Sequence, residues 1–207
     1  MRTARVAHTA VQRFYRHQAC IYNLSRWTIL RGRRGAVAAL DVRPDSRVLE
    51  IGCGTGLNFD CVAALLDPAR GRLVGVDFSE PMLRRARRRV LRHGWSHVDL
   101  IVADATRLEL GGRFDRVLFG YSLAMIPDWN AAIAAAVRHL VPGGRLVVLE
   151  FGRFDQWGLL GTMVRGYLRV NHVYCDQPFA EGLRPHFSEF EIRPWLGGYN
   201  FIAAGVK

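Results

Sequence analysis

An apolar run breaks into alternating glycines in the stretch Val48-Leu49-Glu50-Ile51-Gly52-Cys53-Gly54-Thr55-Gly56-Leu57. A second apolar run ends at Asp77, 21 residues after Gly56. Glycine lets backbone approach a ligand closely at a turn between a strand and a helix, and an acid that ends the next strand can accept both hydroxyls of a ribose. The two features together predict a site for a cofactor that carries a nucleoside.

The spacing of the glycines selects among such cofactors. A dinucleotide site requires G-x-G-x-x-G, and this chain has Leu57 where that pattern needs its third glycine. The E-x-G-x-G-x-G pattern from Glu50 to Gly56 instead resembles the class I S-adenosylmethionine-dependent methyltransferases. The resemblance implies a Rossmann-like fold, with S-adenosyl-L-methionine as the cofactor.

Apolar runs of strand length alternate with helical patterns after residue 46. The predicted strands cover residues 47–51, 72–76, 98–102, 115–119, 146–151, 187–192 and 199–206, and the predicted helices cover residues 35–40, 57–66, 79–93, 130–140 and 156–170. Such alternation predicts an α/β fold with a parallel sheet and helices on both faces. The resemblance makes this a mostly parallel, seven-stranded sheet with an antiparallel terminal strand and an N-terminal helical cap. We divide the chain into a basic amphipathic helical segment, residues 1–40, and a methyltransferase domain, residues 41–207.

Ligands of such sheets bind at the carboxyl ends of the strands. The resemblance implies that the glycine loop amides meet the methionine part of the cofactor and that Glu50 fixes this loop by accepting amide hydrogen bonds. Asp77 is expected to bind the ribose hydroxyls, and Asp104 matches the position of the family that recognises the adenine amine. The residues expected to bind the cofactor are Glu50, Gly52, Gly54, Thr55, Gly56, Asn58, Asp77, Phe78, Met82, Asp104, Ala105 and Gly120.

The loop after the fourth predicted strand, residues 120–128, should face both methyl donor and acceptor. It contains neither Asn-Pro-Pro-Tyr nor Asp-Pro-Pro-Tyr, which the family uses on planar amides and adenine N6, and no Pro-Cys nucleophile. Tyr121 is the candidate on the acceptor side, because an aromatic ring attracts the cation that forms as an amine is methylated. Methyl transfer depends mostly on proximity and orientation, so no acid–base triad is required.

Positive charge is concentrated at the N-terminus. Eight arginines and no acid lie within the first 40 residues, so this segment supplies +8 of the formal net charge of +11. Apolar residues recur within it at helical spacing, at Val11, Phe14, Tyr15, Ala19 and Tyr22. A basic amphipathic helix suits an anionic membrane surface or a nucleic acid.

The same segment carries a second resemblance. Phe14-Tyr15-Arg16-His17-Gln18 and Ile21-Tyr22-Asn23-Leu24-Ser25-Arg26 are similar to the N-terminal part of bacterial lipid-headgroup N-methyltransferases, first those that trimethylate diacylglycerylhomoserine and second those that act on phosphatidylethanolamine. Those families usually have Tyr-Asp-Leu where this chain has Tyr22-Asn23-Leu24. A basic amphipathic helix that lies on an anionic bilayer would let Tyr15 and Tyr22 close over the bound cofactor, so the expected catalytic residues are Tyr15, Tyr22 and Tyr121.

The expected partners are an anionic membrane surface and a lipid substrate at the inner face of the cytoplasmic membrane. The four cysteines have no metal-ligand spacing, so no metal is expected. Two alternatives remain open. One is methylation of a quinone or another small molecule, which the extra basic helix does not favour, and the other is a basic protein that binds nucleic acid, with or without RNA methylation. No aromatic and basic motif of a known RNA-binding module occurs in the chain, which disfavours the latter.

Overall fold

The computed structural model describes residues 31–207, which form one seven-stranded sheet with helices on both faces. The strands are β1 (Arg47–Ile51), β2 (Arg72–Asp77), β3 (Val98–Val102), β4 (Phe114–Gly120), β5 (Leu140–Phe151), β6 (Glu189–Trp195) and β7 (Asn200–Val206). The helices are α1 (Arg33–Leu40), α2 (Phe59–Ala63), α3 (Glu80–His93), α4 (Trp129–His139), α5 (Gly158–Val170) and α6 (Phe179–Leu183).

The strand order is β3-β2-β1-β4-β5-β7-β6, and the first five of these strands run parallel. Strand β7 is antiparallel to both of its neighbours. This confirms the predicted α/β fold with a terminal hairpin. The order reverses between β1 and β4, and a doubly wound sheet opens a crevice at such a point, beyond the carboxyl ends of its strands.

The central strands form the core because they are apolar on both faces. Almost every residue of β1 and β2 is buried, and Phe119 of β4 and Val148 of β5 have no exposed surface. Helix α1 belongs to this packing, since Ala36, Val37 and Leu40 are buried beside β4, β5 and β7. The predicted division at residue 40 stays a prediction, because residues 1–30 lie outside the described part of the chain.

Some predicted boundaries are wrong for identifiable reasons. Helix α2 begins at Phe59 and not at residue 57, because the preceding residues form turns, in which the Gly56 N–H donates to the Cys53 carbonyl at 3.0 Å and the Phe59 N–H donates to the Gly56 carbonyl at 3.2 Å. Strand β5 begins at Leu140 and not at residue 146, because Leu140 pairs with Phe114 of β4, and Gly143 and Gly144 then exchange backbone hydrogen bonds with Lys207. Ser79 precedes α3 as predicted, but its side chain makes no capping hydrogen bond.

Among the described residues, no helix is both long and apolar enough to cross a membrane.

Candidate active site

A cleft with about 840 Å³ of empty volume lies at the carboxyl ends of β1, β2 and β4, where the strand order reverses. We call it the cofactor cleft. Its walls contain most of the residues expected to bind the cofactor, namely Gly52, Gly54, Thr55, Asp77, Phe78, Met82, Ala105 and Gly120.

The glycine loop follows β1 and approaches the cleft without side chains. Gly52 has a φ of 70°, and a Cβ there would overlap Ser122 of the loop after β4. Gly54 has a φ of 57°, and a Cβ there would meet no atom within 4 Å, so this glycine faces open space. The loop therefore forms a cradle that a ligand can approach closely.

The amides of this loop are used within the protein. The N–H groups of Gly52 and Cys53 donate to the Val76 carbonyl at 2.8 and 3.0 Å, and that of Gly54 donates to Oδ2 of Asp77 at 2.8 Å. The expectation that the loop amides meet the methionine part of the cofactor stays a prediction. Their bonds fix β1 to β2 at the cleft, and the glycines contribute close approach.

Asp77 ends β2 and is almost completely buried. Its Oδ1 accepts from the Ser79 N–H at 2.8 Å, and its Oδ2 accepts from Gly54. Burial raises the pKa of this carboxyl, and the two amide hydrogen bonds oppose the shift. A carboxylate oxygen has more than one acceptor position, so Asp77 can also receive the two ribose hydroxyls.

Glu50 and Asn58 lie behind the cleft and not on its wall. The Asn58 side-chain amide donates to Oε1 of Glu50 at 2.7 Å, and both residues are buried. A Cβ on Gly120 would overlap that amide, so the bare backbone of β4 lets the pair form. Burial raises the pKa of Glu50 to about 7, while the hydrogen bond from Asn58 lowers it. Glu50 thus accepts an amide bond as expected, but from a side chain.

The wall expected to face adenine is apolar. Phe78, Met82 and Ala105 lie there. Asp104 lies in a smaller adjoining pocket, and its Oδ1 accepts from the N–H and the hydroxyl of Thr106 at 2.9 and 2.8 Å. The role of Asp104 at the adenine stays a prediction, since in this structure its carboxylate caps a turn.

Tyr121 is on the cleft wall, buried, with a left-handed φ of 60° that is uncommon for a residue with a side chain. Its hydroxyl donates to the Arg31 carbonyl at 2.5 Å and accepts from Nδ2 of Asn200 at 2.8 Å. Burial raises the pKa of this phenol well above its usual range. Tyr121 therefore stays neutral and connects β4 to β7 and to the chain that enters α1. The other two expected catalytic residues, Tyr15 and Tyr22, lie outside the described residues.

The cofactor cleft is also lined by Arg33, Leu57, Ser122, Met125 and Ile126. The last three lie in the loop of residues 120–128, which the sequence predicts to face the methyl donor and acceptor. Arg33 is an addition, since nothing in the sequence distinguished it from the other N-terminal arginines. As a cation on the wall, Arg33 is a candidate partner for the carboxylate of the methionine moiety. Gly56 does not line the cleft. It packs against the Phe59 ring and so supports the loop from the other side.

A second cavity lies beside the first and has about 940 Å³ of empty volume. Its walls come from the segment after β5, the segment around α6, and the β6–β7 hairpin. Asn200 belongs to this wall, and its hydrogen bond to Tyr121 links the two cavities.

Comparison with known sequences agrees with the site. A family model described as a methyltransferase domain matches residues 48–144. A demethylmenaquinone methyltransferase of Thermus thermophilus is 40% identical over 181 residues, which cover 86% of this chain and 74% of that protein. The ubiquinone/menaquinone biosynthesis C-methyltransferase UbiE of Pseudomonas fluorescens is 32% identical over 175 residues, which cover 79% of this chain and 68% of that protein. For UbiE of Pseudomonas putida the identity is 30%, and the chain spans 64% of its length.

Solved structures share the fold. Phosphoethanolamine N-methyltransferase 2 of Haemonchus contortus, in complex with phosphomonomethylethanolamine and S-adenosylhomocysteine, superposes with a TM-score of 0.77 at 18% identity, covering 95% of this chain and 60% of that one. The N-methyltransferase NodS of Bradyrhizobium japonicum gives 0.64 at 22% identity, covering 86% of each chain.

The sequence relatives named above are a demethylmenaquinone methyltransferase and C-methyltransferases of ubiquinone/menaquinone biosynthesis, and none is described as the lipid-headgroup N-methyltransferase that the N-terminal resemblance indicated. The sheet topology, the glycine loop and the matches to known sequences together establish the fold, the cofactor and the enzyme class. The chain belongs to the class I S-adenosylmethionine-dependent methyltransferases.

Proposed function

We propose that this enzyme methylates an acceptor carried by a membrane lipid, at the surface of an anionic bilayer, and that the acceptor is a headgroup amine. The observation that carries the proposal is an exposed apolar face on α5, close to the active site. Leu159, Met163, Tyr167 and Val170 are 79, 66, 63 and 76% exposed. They recur at helical spacing on one side of α5, and exposed apolar patches of this kind mark interaction sites.

The surroundings of this face suit a bilayer. Residues 156–175 include two arginines and no acid, and the helix begins directly after Trp157. Arg165 and Arg169 are paired with Asp155 and Asp176 at the two ends of this region, so the face itself is uncharged. An apolar face of this kind inserts at the level of the lipid headgroups, where aromatic residues such as Trp157 and Tyr167 are also favoured.

The basic N-terminal segment joins the domain at the active site. The carbonyl of Arg31 accepts hydrogen bonds from the Tyr121 hydroxyl and from Nδ2 of Asn200. Arg31 is therefore held next to Tyr121 of the cofactor cleft and Asn200 of the second cavity. Basic residues near an anionic membrane each contribute about 1 kcal/mol, so this segment and α5 support the same partner.

The cleft suits a reaction governed by positioning. When bound, S-adenosyl-L-methionine supplies a methyl group on a sulfonium, which an in-line nucleophile accepts as the carbon–sulfur bond breaks. The ionisable side chains on the described cleft wall are those of Arg33, Cys53, Asp77 and Tyr121. Burial raises the pKa of the Cys53 thiol and of the Tyr121 phenol, so both stay protonated. A headgroup amine that releases its proton to water presents a lone pair without needing these groups as a base.

Two observations favour a particular lipid amine as the acceptor. The N-terminal resemblance favours diacylglycerylhomoserine, methylated stepwise to its betaine lipid, over phosphatidylethanolamine. The Tyr121 ring on the cleft wall supports a cationic product through cation–π attraction. Peripheral association with the inner face of the cytoplasmic membrane is part of the same proposal.

A second candidate is methylation of a quinol ring carbon in a membrane quinone. The 40% identity to a demethylmenaquinone methyltransferase favours it. Arg33 on the cleft wall also favours it, because a cation stabilises the phenolate that makes a ring carbon nucleophilic. This candidate shares the lipid-borne acceptor with the first one and differs from it in the atom that is methylated.

One experiment separates these candidates. Purified enzyme is incubated with methyl-labelled cofactor and anionic vesicles that contain diacylglycerylhomoserine, phosphatidylethanolamine or demethylmenaquinol, and the lipid products are resolved by mass. A trimethylated homoserine lipid supports the first proposal, and a ring-methylated quinol supports the second. Label only in added RNA or in water-soluble acceptors would overturn the lipid proposal.

A further inference from the structure

We propose that the second cavity holds the methyl acceptor and that Asn200 binds the acceptor's amine. In this arrangement the amine N–H donates a hydrogen bond to Oδ1 of Asn200. This inference rests on the proposed methylation of a lipid amine and assigns the site for that substrate. It starts from an unsatisfied polar atom. Asn200 has no exposed surface, and its Oδ1 has no hydrogen-bond partner. Buried carbonyl oxygens are almost always paired, so one without a partner points to a missing donor.

The other half of the Asn200 amide is fully engaged. Its Nδ2 donates to the Tyr121 hydroxyl at 2.8 Å and to the Arg31 carbonyl at 3.1 Å. These two bonds fix the orientation of the amide, and Oδ1 is left as an acceptor that only a donor can satisfy. Asn200 begins β7 beside Phe151, the last residue of β5, so a rigid sheet holds it at the carboxyl end of β5.

The cavity around Asn200 suits an amphiphile. Its described walls include the rings of Phe154, Trp157, Phe179 and Phe201. Phe154 is packed edge-on against Trp157, with ring centroids 5.2 Å apart, so the apolar wall is preformed. Trp157 directly precedes α5, and a lipid held by this cavity would therefore extend toward the proposed bilayer-binding face.

The cavity also adjoins the reacting centre. Tyr121 lines the cofactor cleft, Asn200 lines the second cavity, and the two side chains are in direct contact. An amine bonded to Oδ1 would lie at the boundary between the two cavities. Asn200 is then a specificity-determining residue that selects acceptors with an N–H donor.

This role makes a prediction about successive methylations. A neutral primary amine carries two N–H donors, a monomethylated amine carries one, and a dimethylated amine carries none. Asn200 should therefore assist the first two methyl transfers and leave the third unaffected. A residue that only stabilises the fold would affect the three steps equally.

The test uses Asn200→Leu and Asn200→Asp, with phosphatidylethanolamine and its N-methyl and N,N-dimethyl forms in vesicles. We expect Asn200→Leu to raise KM about tenfold for the first two acceptors, as the loss of one hydrogen bond predicts, and to leave KM for the dimethyl acceptor within about twofold. Asn200→Asp keeps an acceptor oxygen but loses the two hydrogen bonds that Nδ2 donates, so its KM for the first two acceptors should lie between those of the wild type and Asn200→Leu. An equal rise in KM for all three acceptors would overturn the role of Asn200.

A cavity-filling variant tests the location without relying on turnover. Ala180 of α6 lines the second cavity, and Ala180→Phe would place a ring inside it. Ala69 is exposed in the turn before β2, at the opposite end of the sheet, and Ala69→Phe is the matched control. We expect calorimetry with dihexanoylphosphatidylethanolamine to show binding for the wild type and the control, and none for Ala180→Phe, with cofactor affinity unchanged in all three.

Equal binding of the short-chain lipid by Ala180→Phe and the wild type would overturn the location. The proposed function fails separately: if the lipid binds in the second cavity but receives no methyl group, the cavity assignment stands and amine methylation does not.

Discussion

At the scale of single residues, Asp77 is the most informative side chain. It joins the end of β2 to the glycine loop, and it is the only carboxylate on the described wall of the cofactor cleft. We expect Asp77→Ala to weaken S-adenosylmethionine binding by roughly 1.5 to 3 kcal/mol, because two ribose hydroxyls lose a charged acceptor. Calorimetry measures this change. The control is Asp99→Ala, because Asp99 is an exposed residue of β3 that pairs with Arg72. Equal affinity in a folded Asp77→Ala protein would contradict the assignment.

Glu50 predicts a dependence of stability on pH. Burial raises its pKa from 4.5 to about 7, so the folded protein holds the proton more tightly than the unfolded chain does. The resulting stability is complete below about pH 4.5 and is lost as the pH rises through 7.

The matched variant is Glu50→Gln, which keeps an oxygen for the Asn58 amide and cannot ionise. Between pH 4.5 and 8 the free energy of unfolding of the wild type should fall by roughly 2 to 3 kcal/mol relative to this variant. Urea titrations at several pH values give the answer. Parallel curves for the two proteins would show that Glu50 does not titrate in this range.

At the scale of elements, the glycine loop allows a comparison of two neighbouring positions. Gly52 and Gly54 both have left-handed φ values, but only at Gly52 would a Cβ overlap another residue, Ser122. Gly54→Ala should cost about 1 to 2 kcal/mol of stability from backbone strain and should also weaken cofactor binding, since its methyl group enters the cleft. Gly52→Ala should cost clearly more stability. Thermal unfolding and calorimetry of both variants test this, and a Gly52→Ala protein as stable as Gly54→Ala would contradict the packing described.

The apolar face of α5 is the surface by which we propose that the protein binds a membrane. Leu159→Ser combined with Met163→Ser should reduce co-sedimentation with anionic vesicles, because the inserted apolar area is lost. Leu91→Ser removes an equally exposed leucine from α3 and should leave vesicle binding unchanged. Equal loss in both proteins, or in neither, would remove α5 from the membrane surface.

The elements also show what the sequence could predict. The predicted bounds of β1 to β4 agree with the structure to within one residue, because these apolar runs are of strand length and are bounded by turn residues. The start of β5 was missed because Leu140 pairs there with Phe114, and Gly143 and Gly144 bond to Lys207, which are long-range pairings that no local pattern encodes. In the site, the glycine spacing and Asp77 carried the cofactor prediction. Arg33 and Asn200 were missed, because only the folded sheet brings them beside Tyr121 and the cleft.

At the scale of the whole molecule, positive charge is concentrated near the start of the sequence. The N-terminal segment holds eight arginines and joins the domain at Arg31, which Tyr121 and Asn200 bind. Binding to anionic vesicles should therefore weaken as salt rises, since exposed charges act over about 8 Å at physiological ionic strength. Co-sedimentation at increasing salt measures this. Binding that is independent of salt would assign membrane association to α5 alone.

The central claim is that this methyltransferase acts on a membrane lipid. The most direct measurement is mass analysis of lipids from cells that express the chain and grow on methionine labelled in its methyl group, with cells that express Asp77→Ala as the reference. We expect a lipid that carries up to three labelled methyl groups on its headgroup nitrogen in cells with the wild-type chain, and no such lipid in cells with the variant. Identical labelled lipids in the two cultures would contradict it.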